Sequence, residues 1–164
     1  FLLSHSIDMS CWLTGKKVVK VHAVGIKEKL VKMNIDTYDS IIATLVFEDG
    51  TIGSYTTSWI LPESMPMIYD FKYEIIGTEG CLYVDLQDQM VRQGGKVYQH
   101  RHVLGTPIAG RLTAAPEMML YEFIDNLVND TYPTADAYAG YVNTLIVEAV
   151  HRSILKGSPV CIEY

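Results

Sequence analysis

The chain has 164 residues, a formal net charge of -6 and 49% hydrophobic residues, which is typical of one folded globular domain. Lys and Arg are scattered along the chain, so neither nucleic acid nor an anionic membrane surface is expected as a partner. No apolar run approaches the ~20 residues of a membrane-spanning helix. The three cysteines are far apart and lack paired spacing, which predicts reduced core thiols in a cytoplasmic protein: Cys11, Cys81 and Cys161.

The first predicted element is a short helix from Ser4 to Leu13, with Ser4 as its N-cap and Gly15 as the left-handed residue just past its end. Two segments rich in β-branched residues follow and predict strands, KKVVKVHAVGI and YDSIIATLVFEDG. Asp49-Gly50 supplies the positive φ angles of a tight hairpin turn before TIGSYTTSWI. Further hairpins are predicted around Thr78-Glu79-Gly80 and Gly94-Gly95, which makes about seven strands.

The longest predicted loop, LGTPIAGRLTAAP, lies between Leu104 and Pro116, and loops of this length are often functional. After Pro116 the hydrophobic period changes from 2 to about 3.6, which predicts two helices. Their apolar stripes are Leu120, Phe123, Ile124, Leu127 and Val128, then Val142, Leu145, Ile146, Ala149, Val150 and Ile154. Gly157 and Pro159 end the second helix, and PVCIEY returns as a strand. The order of elements predicts an α+β fold, a mainly antiparallel open sheet with helices packed on one face.

Several predicted strands are apolar on both faces. Ile41, Ala43, Leu45 and Phe47 alternate with Ile42 and Val46. An antiparallel sheet with one solvated face would alternate apolar and polar residues instead. The second face is therefore expected to be covered by another subunit or by a further part of the protein.

The opening helix brings titratable side chains next to a large aromatic residue. At about 100° per residue, His5, Asp8, Met9 and Trp12 fall on one side of the helix. Histidine, with an ordinary pKa of about 6.5, suits proton exchange with a substrate hydroxyl at neutral pH. The alternative for His5 is a hydrogen-bonded structural role, and Trp12 is predicted to pack in the core.

Several motifs in this order resemble the C-terminal domain of the glucose-fructose oxidoreductase / inositol dehydrogenase (Gfo/Idh/MocA) family of NAD(P)-dependent oxidoreductases. The sequence HSIDMSCWLTG is similar to that family's HxxD helix, and VFEDGTIGSYTTSW to its central hairpin. YEIIGTEGCLYVD is similar to its Gly-Thr-x-Gly turn, and EFIDNLVND with AVHRSILKGSPVCI to its closing segment.

The resemblance implies that residues 1–164 form the C-terminal substrate-binding and oligomerisation domain of a longer oxidoreductase. In such enzymes an N-terminal Rossmann domain binds NAD or NADP, and these residues contain no GxGxxG motif opening a βαβ unit. The implied reaction oxidises or reduces a hydroxyl or carbonyl of a sugar, cyclitol or related polyol, with this half inactive alone. The family resemblance also implies a homo-oligomer that pairs through the sheet face.

By resemblance, His5 is the catalytic base or the group that polarises the substrate oxygen. Family members often carry an aspartate four residues before this histidine, where the present chain has Phe1. Because Phe1 replaces that aspartate, a second hypothesis remains. In it, the chain is a non-catalytic assembly or ligand-binding sheet module of a degenerate family member.

Further substrate-binding candidates are Trp59 and Tyr55, because similar positions in the family approach the substrate cleft. Asp8 on the opening helix is another candidate, with bracing of the helix or pairing with a neighbouring backbone group as the alternative. Arg111 in the long loop is a candidate for binding a carboxylate or phosphate, with a solvated loop arginine as the alternative. His100 and His102 share one side of a predicted strand, but no nearby carboxylate or cysteine completes a ligand set, so no metal site is expected.

Overall fold

The computed structural model describes residues 2–65, 70–87, 92–97, 99–100, 110 and 115–164. Their elements in chain order are α1 (Leu2–Thr14), β1 (Val18–Ile26), α2 (Lys29–Lys32), β2 (Ser40–Phe47), β3 (Ile52–Ser58), β4 (Lys72–Ile76), β5 (Cys81–Asp85), β6 (Arg92–Gln93), β7 (Gln99–His100), α3 (Ala115–Asn129), α4 (Ala137–Lys156) and β8 (Val160–Cys161). The chain divides into two units, one formed by Phe1–Ile60 with Thr134–Tyr164 and the other by Leu61–Pro133.

The first unit is built on a four-stranded antiparallel sheet with the strand order β3-β2-β1-β8. Its register pairs Ala23 with Ala43, and Ala43 with Tyr55, so these side chains share one face of the sheet. Both helices that flank the strands pack on that face, α4 against β1 and α1 against α4 and β3. The predicted α+β fold with an open antiparallel sheet and helices on one face is confirmed for this unit.

The core of this unit lies between the helices and the inner face of the sheet. It contains Leu3, Ile7, Val18, Val21, Ala23, Ala43, Leu45, Phe47, Tyr55, Ile146, Ala149, Val150, Val160 and Ile162. Ser153 is a buried polar residue in this core, and its hydroxyl accepts a hydrogen bond from the Ala23 N–H at 3.0 Å and donates to the Ser158 carbonyl at 2.8 Å. This hydroxyl ties α4 to β1 with its hydrogen-bonding capacity satisfied.

The predicted hairpin at Asp49-Gly50 is confirmed. Gly50 has a φ of +87°, which a residue with a side chain rarely adopts. The Asp49 carboxylate accepts from the Thr51 N–H and hydroxyl and pairs with the Lys16 ammonium. The hydrogen bond from Lys16, followed by those from Thr51, lowers the pKa of Asp49 to about 2.

The predicted ends of the helices are confirmed except for the N-cap of α1. Gly15 and Gly157 have φ angles of +67° and +63° and end α1 and α4, as predicted. The N-cap of α4 is Asp136, whose carboxylate accepts from the Ala139 N–H at 2.8 Å. The N-cap assignment of Ser4 was wrong, because α1 already begins at Leu2 and Ser4 lies inside its first turn.

The second unit contains the hairpin β4–β5, which closes with a hydrogen bond from the Gly77 N–H to the Gly80 carbonyl, and the short pair β6–β7. Both hairpins match the predictions. Helix α3 is also present, but the apolar stripe predicted for it is exposed: Leu120, Phe123, Ile124, Leu127 and Val128. Most of the loop between Leu104 and Pro116 lies outside the described residues, Arg111 included.

The outer face of the four-stranded sheet carries exposed apolar residues between polar ones, which include His22, Thr44 and Ser54. Val24 and Ile42 are neighbours across β1 and β2, and they are 57% and 50% exposed. Ile26 and Ile52 lie on the same face and are also exposed. Neither α1 nor α4 covers this face, because both helices pack on the other one.

The cysteines correct one expectation from the sequence. All three are free, but Cys81 and Cys161 are exposed and only Cys11 is partly buried, so they are not core thiols. In the described ranges, no helix has the length and apolar character needed to cross a membrane.

Candidate functional site

Helix α1 turns one side to the core and the other to solvent. Leu3 and Ile7 are buried, whereas His5, Asp8, Met9 and Trp12 are all exposed. The helical spacing predicted that these four residues share a face, and the structure agrees. Trp12 is 63% exposed, so its assignment to the core was wrong. A histidine and an aspartate therefore lie beside exposed apolar side chains on one accessible surface.

The inner side of α1 is held by β3. The Tyr55 side chain is buried, and burial raises the pKa of its phenol, with a hydrogen bond between Tyr55 and Ser10 opposing the shift. Tyr55 was predicted to line a substrate cleft. The structure instead places it in the core beneath α1, where it supports the helix that carries His5.

The first turn of α1 is held from a second direction by α4. The Asn143 side-chain amide donates to the Ser4 carbonyl at 3.1 Å, next to His5 in the chain. Together with the burial of Leu3 and Ile7, this bond fixes the end of α1 from which His5 projects.

A small cavity of about 100 Å³ opens in the same unit where β2 begins and β3 ends. We call it the Trp59 pocket and define it by its lining residues: Leu3, Thr37, Tyr38, Asp39, Ser40, Ile41, Thr57, Trp59, Val147, Val150 and His151. Trp59 is 53% exposed, so much of its indole is available to a ligand. Leu3 links this pocket to the first turn of α1.

Asp39 holds the frame of the Trp59 pocket. Its side chain is 2% exposed and accepts three backbone hydrogen bonds, from Glu28 at 2.8 Å, Lys29 at 2.7 Å and Leu30 at 2.8 Å. Its own carbonyl accepts from the Trp59 N–H at 2.9 Å. The backbone hydrogen bond from Leu30 is the largest cause that lowers the pKa of Asp39. One buried carboxylate thus fixes the start of α2 and, through its backbone, the position of Trp59.

Two further aromatic rings lie at the rim of the pocket. The Tyr38 and His151 rings are 5.9 Å apart between centroids and tilted by 46°. The Lys27 ammonium lies 4.7 Å from the Tyr38 ring centroid and pairs with Asp36 at 2.7 Å. A Cβ atom at Gly25 would come 2.8 Å from the Tyr38 ring, so the glycine is what lets this ring pack on β1.

The family model for the GFO/IDH/MocA C-terminal domain matches residues 2–83, which is half of the chain. The chain belongs to the Gfo/Idh/MocA family. This is a family of oxidoreductases, and its inositol dehydrogenases are among the relatives of the chain.

Two curated relatives and one solved structure illustrate the similarity. The chain is 31% identical to the myo-inositol dehydrogenase Hyg17 of Streptomyces leeuwenhoekii over 49% of its own length and 24% of the relative's. It is 23% identical to an inositol 2-dehydrogenase of Rubrobacter xylanophilus over 97% of the chain and 44% of the relative. The chain thus spans less than half the length of both curated relatives.

The solved structure is GenD2 from gentamicin A biosynthesis, crystallised in complex with NAD. It superposes with a TM-score of 0.80 and 20% identity, covering 99% of this chain and 47% of the other. At this identity the likeness shows a shared fold.

Only some of the predicted site residues meet in the structure. His5 and Asp8 share the exposed face of α1, and Trp59 lines a pocket that also contains Leu3 of this helix. Arg111 and His102 lie outside the described residues, as does the side chain of His100. Among the described residues, no group of three or more His, Cys, Asp and Glu side chains is placed to hold a metal ion.

The sequence did not single out Tyr38, Asp39 or His151. Asp39 caps a turn that begins 11 residues before it, so no local capping signal marks it. His151 directly follows the buried Val150 on α4, and helical periodicity alone does not separate a pocket residue from a boundary residue there.

Replacing Asp39 by Asn is expected to lower Tm by about 4–8 °C, because an amide cannot accept all three hydrogen bonds. A carboxyl whose pKa is lowered by folding stabilises the protein above its ordinary pKa of 3.8, and this contribution is lost as the pH falls through the lowered value. The difference in Tm between wild type and Asp39→Asn is therefore full at neutral pH and shrinks below about pH 4. Thermal melts followed by circular dichroism across this range measure it.

The matched control is Asp36→Asn, because the Asp36 side chain is 90% exposed and pairs only with Lys27 at the surface. Equal melting temperatures for wild type and Asp39→Asn at neutral pH would show that the three hydrogen bonds do not stabilise the unit.

Proposed function

We propose that the chain is the C-terminal, substrate-side domain of a longer NAD(P)-dependent oxidoreductase. The proposed substrate is a cyclitol, sugar or related polyol, of which one hydroxyl is oxidised or one carbonyl reduced. Membership of the Gfo/Idh/MocA family and the two inositol dehydrogenase relatives support this substrate class.

The observation that carries the proposal is the exposed face of α1. His5 and Asp8 are accessible there, while the opposite side of the helix is fixed by the core and by Asn143. A histidine on a rigid element can take the proton of a substrate hydroxyl as that carbon is oxidised, and return it in the reverse direction. In the proposed site, His5 exchanges this proton and Asp8 accepts a hydrogen bond from a neighbouring hydroxyl.

The residues of the first unit do not fit a dinucleotide. A pyrophosphate binds where a glycine-rich turn leads from a strand into a helix with free N–H groups. Here β1 leads into α2 through Lys27 and Glu28, and the N–H groups at the start of α2 are already occupied by the Asp39 carboxylate. The cofactor, NAD or NADP, is therefore proposed to be bound mainly by a separate N-terminal domain.

The outer sheet face is the proposed site of self-association. The exposed apolar residues there are Val24, Ile26, Ile42 and Ile52, and exposed apolar groups bordered by polar residues often mark protein–protein contacts. A two-fold pairing of identical sheets covers it most simply, since closed symmetric dimers are the commonest assembly.

Two measurements test the proposed function. Calorimetry of the 164-residue chain with NADH is expected to show no micromolar binding, whereas the whole protein should form NADH from NAD⁺ and myo-inositol or a related polyol. Micromolar binding of NADH by this chain alone would overturn the division of roles. A whole protein that oxidises no polyol with either cofactor would favour the non-catalytic assembly or ligand-binding module instead.

A further inference from the structure

We infer that the Trp59 pocket is a recognition subsite for one edge of an uncharged polyol ring, with Thr57 and His151 as its specificity-determining residues. The inference rests on the proposed function for its substrate class, and it assigns a role to Thr57 and His151, neither of which was singled out from the sequence.

The size of the pocket limits what it can hold. Its volume of about 100 Å³ is well below the roughly 300–1,000 Å³ of pockets that enclose a whole small-molecule ligand. A cyclitol or hexose would therefore enter this space with only part of its ring. The pocket therefore suits one edge of a ring whose remainder extends outward.

The frame of the pocket is fixed before any ligand arrives. The Trp59 N–H is held by the Asp39 carbonyl, and the Ser40 hydroxyl donates to the Ser58 hydroxyl at 2.9 Å. The Ser58 hydroxyl in turn donates to the Asp39 carbonyl at 3.3 Å. Because the backbone on both sides of Trp59 is anchored, a ligand does not have to order it, which favours binding.

The described lining of the pocket contains no lysine or arginine. Asp39 is the only acidic residue among the described lining residues, and both of its oxygens accept backbone N–H groups. The Lys27 ammonium near the rim lies over the Tyr38 ring and pairs with Asp36. An anionic ligand would find no permanent cation in this lining, so the expected ligand is uncharged.

The remaining groups match adjacent hydroxyls on an apolar ring. Leu3, Ile41, Val147 and Val150 supply apolar walls, and the exposed Trp59 indole supplies an aromatic surface. The Thr57 hydroxyl lines the cavity without a hydrogen-bond partner in the described part of the chain. An apolar and aromatic pocket with a few convergent polar groups is typical of small-molecule sites.

His151 is placed to select among polyols. Its ring is held beside Tyr38 at 5.9 Å and lines the cavity together with Thr57. Imidazole nitrogens and a hydroxyl can together donate to and accept from two neighbouring hydroxyl groups. A polyol with a different arrangement of these hydroxyls would leave one of the protein groups unpaired, which is a strong source of selectivity.

The test uses the fluorescence of Trp59 in the 164-residue chain. The chain contains two tryptophans, so Trp12→Phe leaves Trp59 as the single reporter. Titration with myo-inositol is expected to change its fluorescence saturably with a millimolar Kd. Thr57→Val and His151→Ala are each expected to weaken binding about fivefold or more, because each removes one hydrogen bond to the ligand. A charged analogue, myo-inositol monophosphate esterified on the bound edge, is expected not to saturate.

The matched control is Thr144→Val, the same substitution at an exposed position of α4 outside the pocket, and it should leave Kd unchanged. His151→Asn, which retains a polar side chain, guards against loss of folding in His151→Ala and should bind more tightly than it. Absence of a saturable response, or equal weakening by Thr144→Val, would overturn the subsite.

Failure of the subsite and failure of the proposed function give different results. If the protein binds myo-inositol saturably through Thr57 and His151 but oxidises no polyol, the subsite would be supported and the proposed reaction refuted. If the whole protein oxidises a polyol and neither Thr57→Val nor His151→Ala changes its KM, the proposed function would stand and the subsite would be refuted.

Discussion

Replacing His5 by Ala in the whole protein is expected to lower turnover of a polyol by about 100-fold or more, the usual contribution of a positioned acid–base group. The side chain lies on the exposed face of α1, so its loss leaves no cavity in the core and the fold should persist. Steady-state kinetics, with circular dichroism as a check on folding, measure both effects. KM should change much less than kcat, because the proton is transferred in the reaction step.

Thr14→Ala is the control for this experiment. Thr14 is exposed at the end of the same helix, and its hydroxyl makes only local bonds, donating to the Ser10 carbonyl and accepting from the Lys16 N–H, so truncation there should leave turnover near that of wild type. Normal turnover in His5→Ala would remove His5 from the mechanism. Loss of folding in His5→Ala would instead support a structural role for this histidine.

Replacing Ile42 by Lys is expected to convert a self-associated chain into a monomer. Ile42 lies on the central strand β2 next to Val24, so a partner sheet that covers this face would bury the new charge without a counter-ion. Wild type should sediment at twice or four times the chain mass at micromolar concentration. The variant should associate at least about 100-fold more weakly, since an unpaired buried charge costs several kcal/mol.

Leu155→Lys provides the comparison for this effect. Leu155 is an exposed apolar residue on α4, which packs on the inner side of the sheet, so a lysine there should not disturb pairing of the outer faces. A monomeric wild-type chain, or equal dissociation by both variants, would contradict self-association through the sheet.

Sequence patterns were sufficient wherever a local rule decides the structure. The spacing of His5, Asp8 and Trp12 gave the correct common face of α1. Asp49-Gly50 gave the correct hairpin, because few dipeptides reach the φ angles of that turn. The two-sided apolar pattern of β1 and β2 agrees with the exposure of Val24 and Ile42, and the cover expected on this face stays a prediction.

Features that depend on contacts between distant parts of the chain could not be predicted from local patterns. Helix α2 was not predicted, because its four residues show no periodicity and its N–H groups are satisfied by Asp39, which follows it in the chain. Trp12 was assigned to the core, and only the position of the sheet and α4 shows that its side of α1 is not covered. The Trp59 pocket combines α1, the region of β2 and β3, and α4, so no single segment indicates it.

The first unit joins the beginning of the chain to its end. Strand β8 pairs with β1 at Val21 and Val160, and α4 covers the sheet that residues 18–58 build. A ribosome synthesises the whole of Leu61–Pro133 before α4 emerges. Until then the inner face of β1 and β2 has no helix α4 to cover it, and nascent chains with exposed apolar strands are prone to aggregate. A temporarily uncovered sheet during translation is thus a consequence of placing one unit inside the sequence of the other.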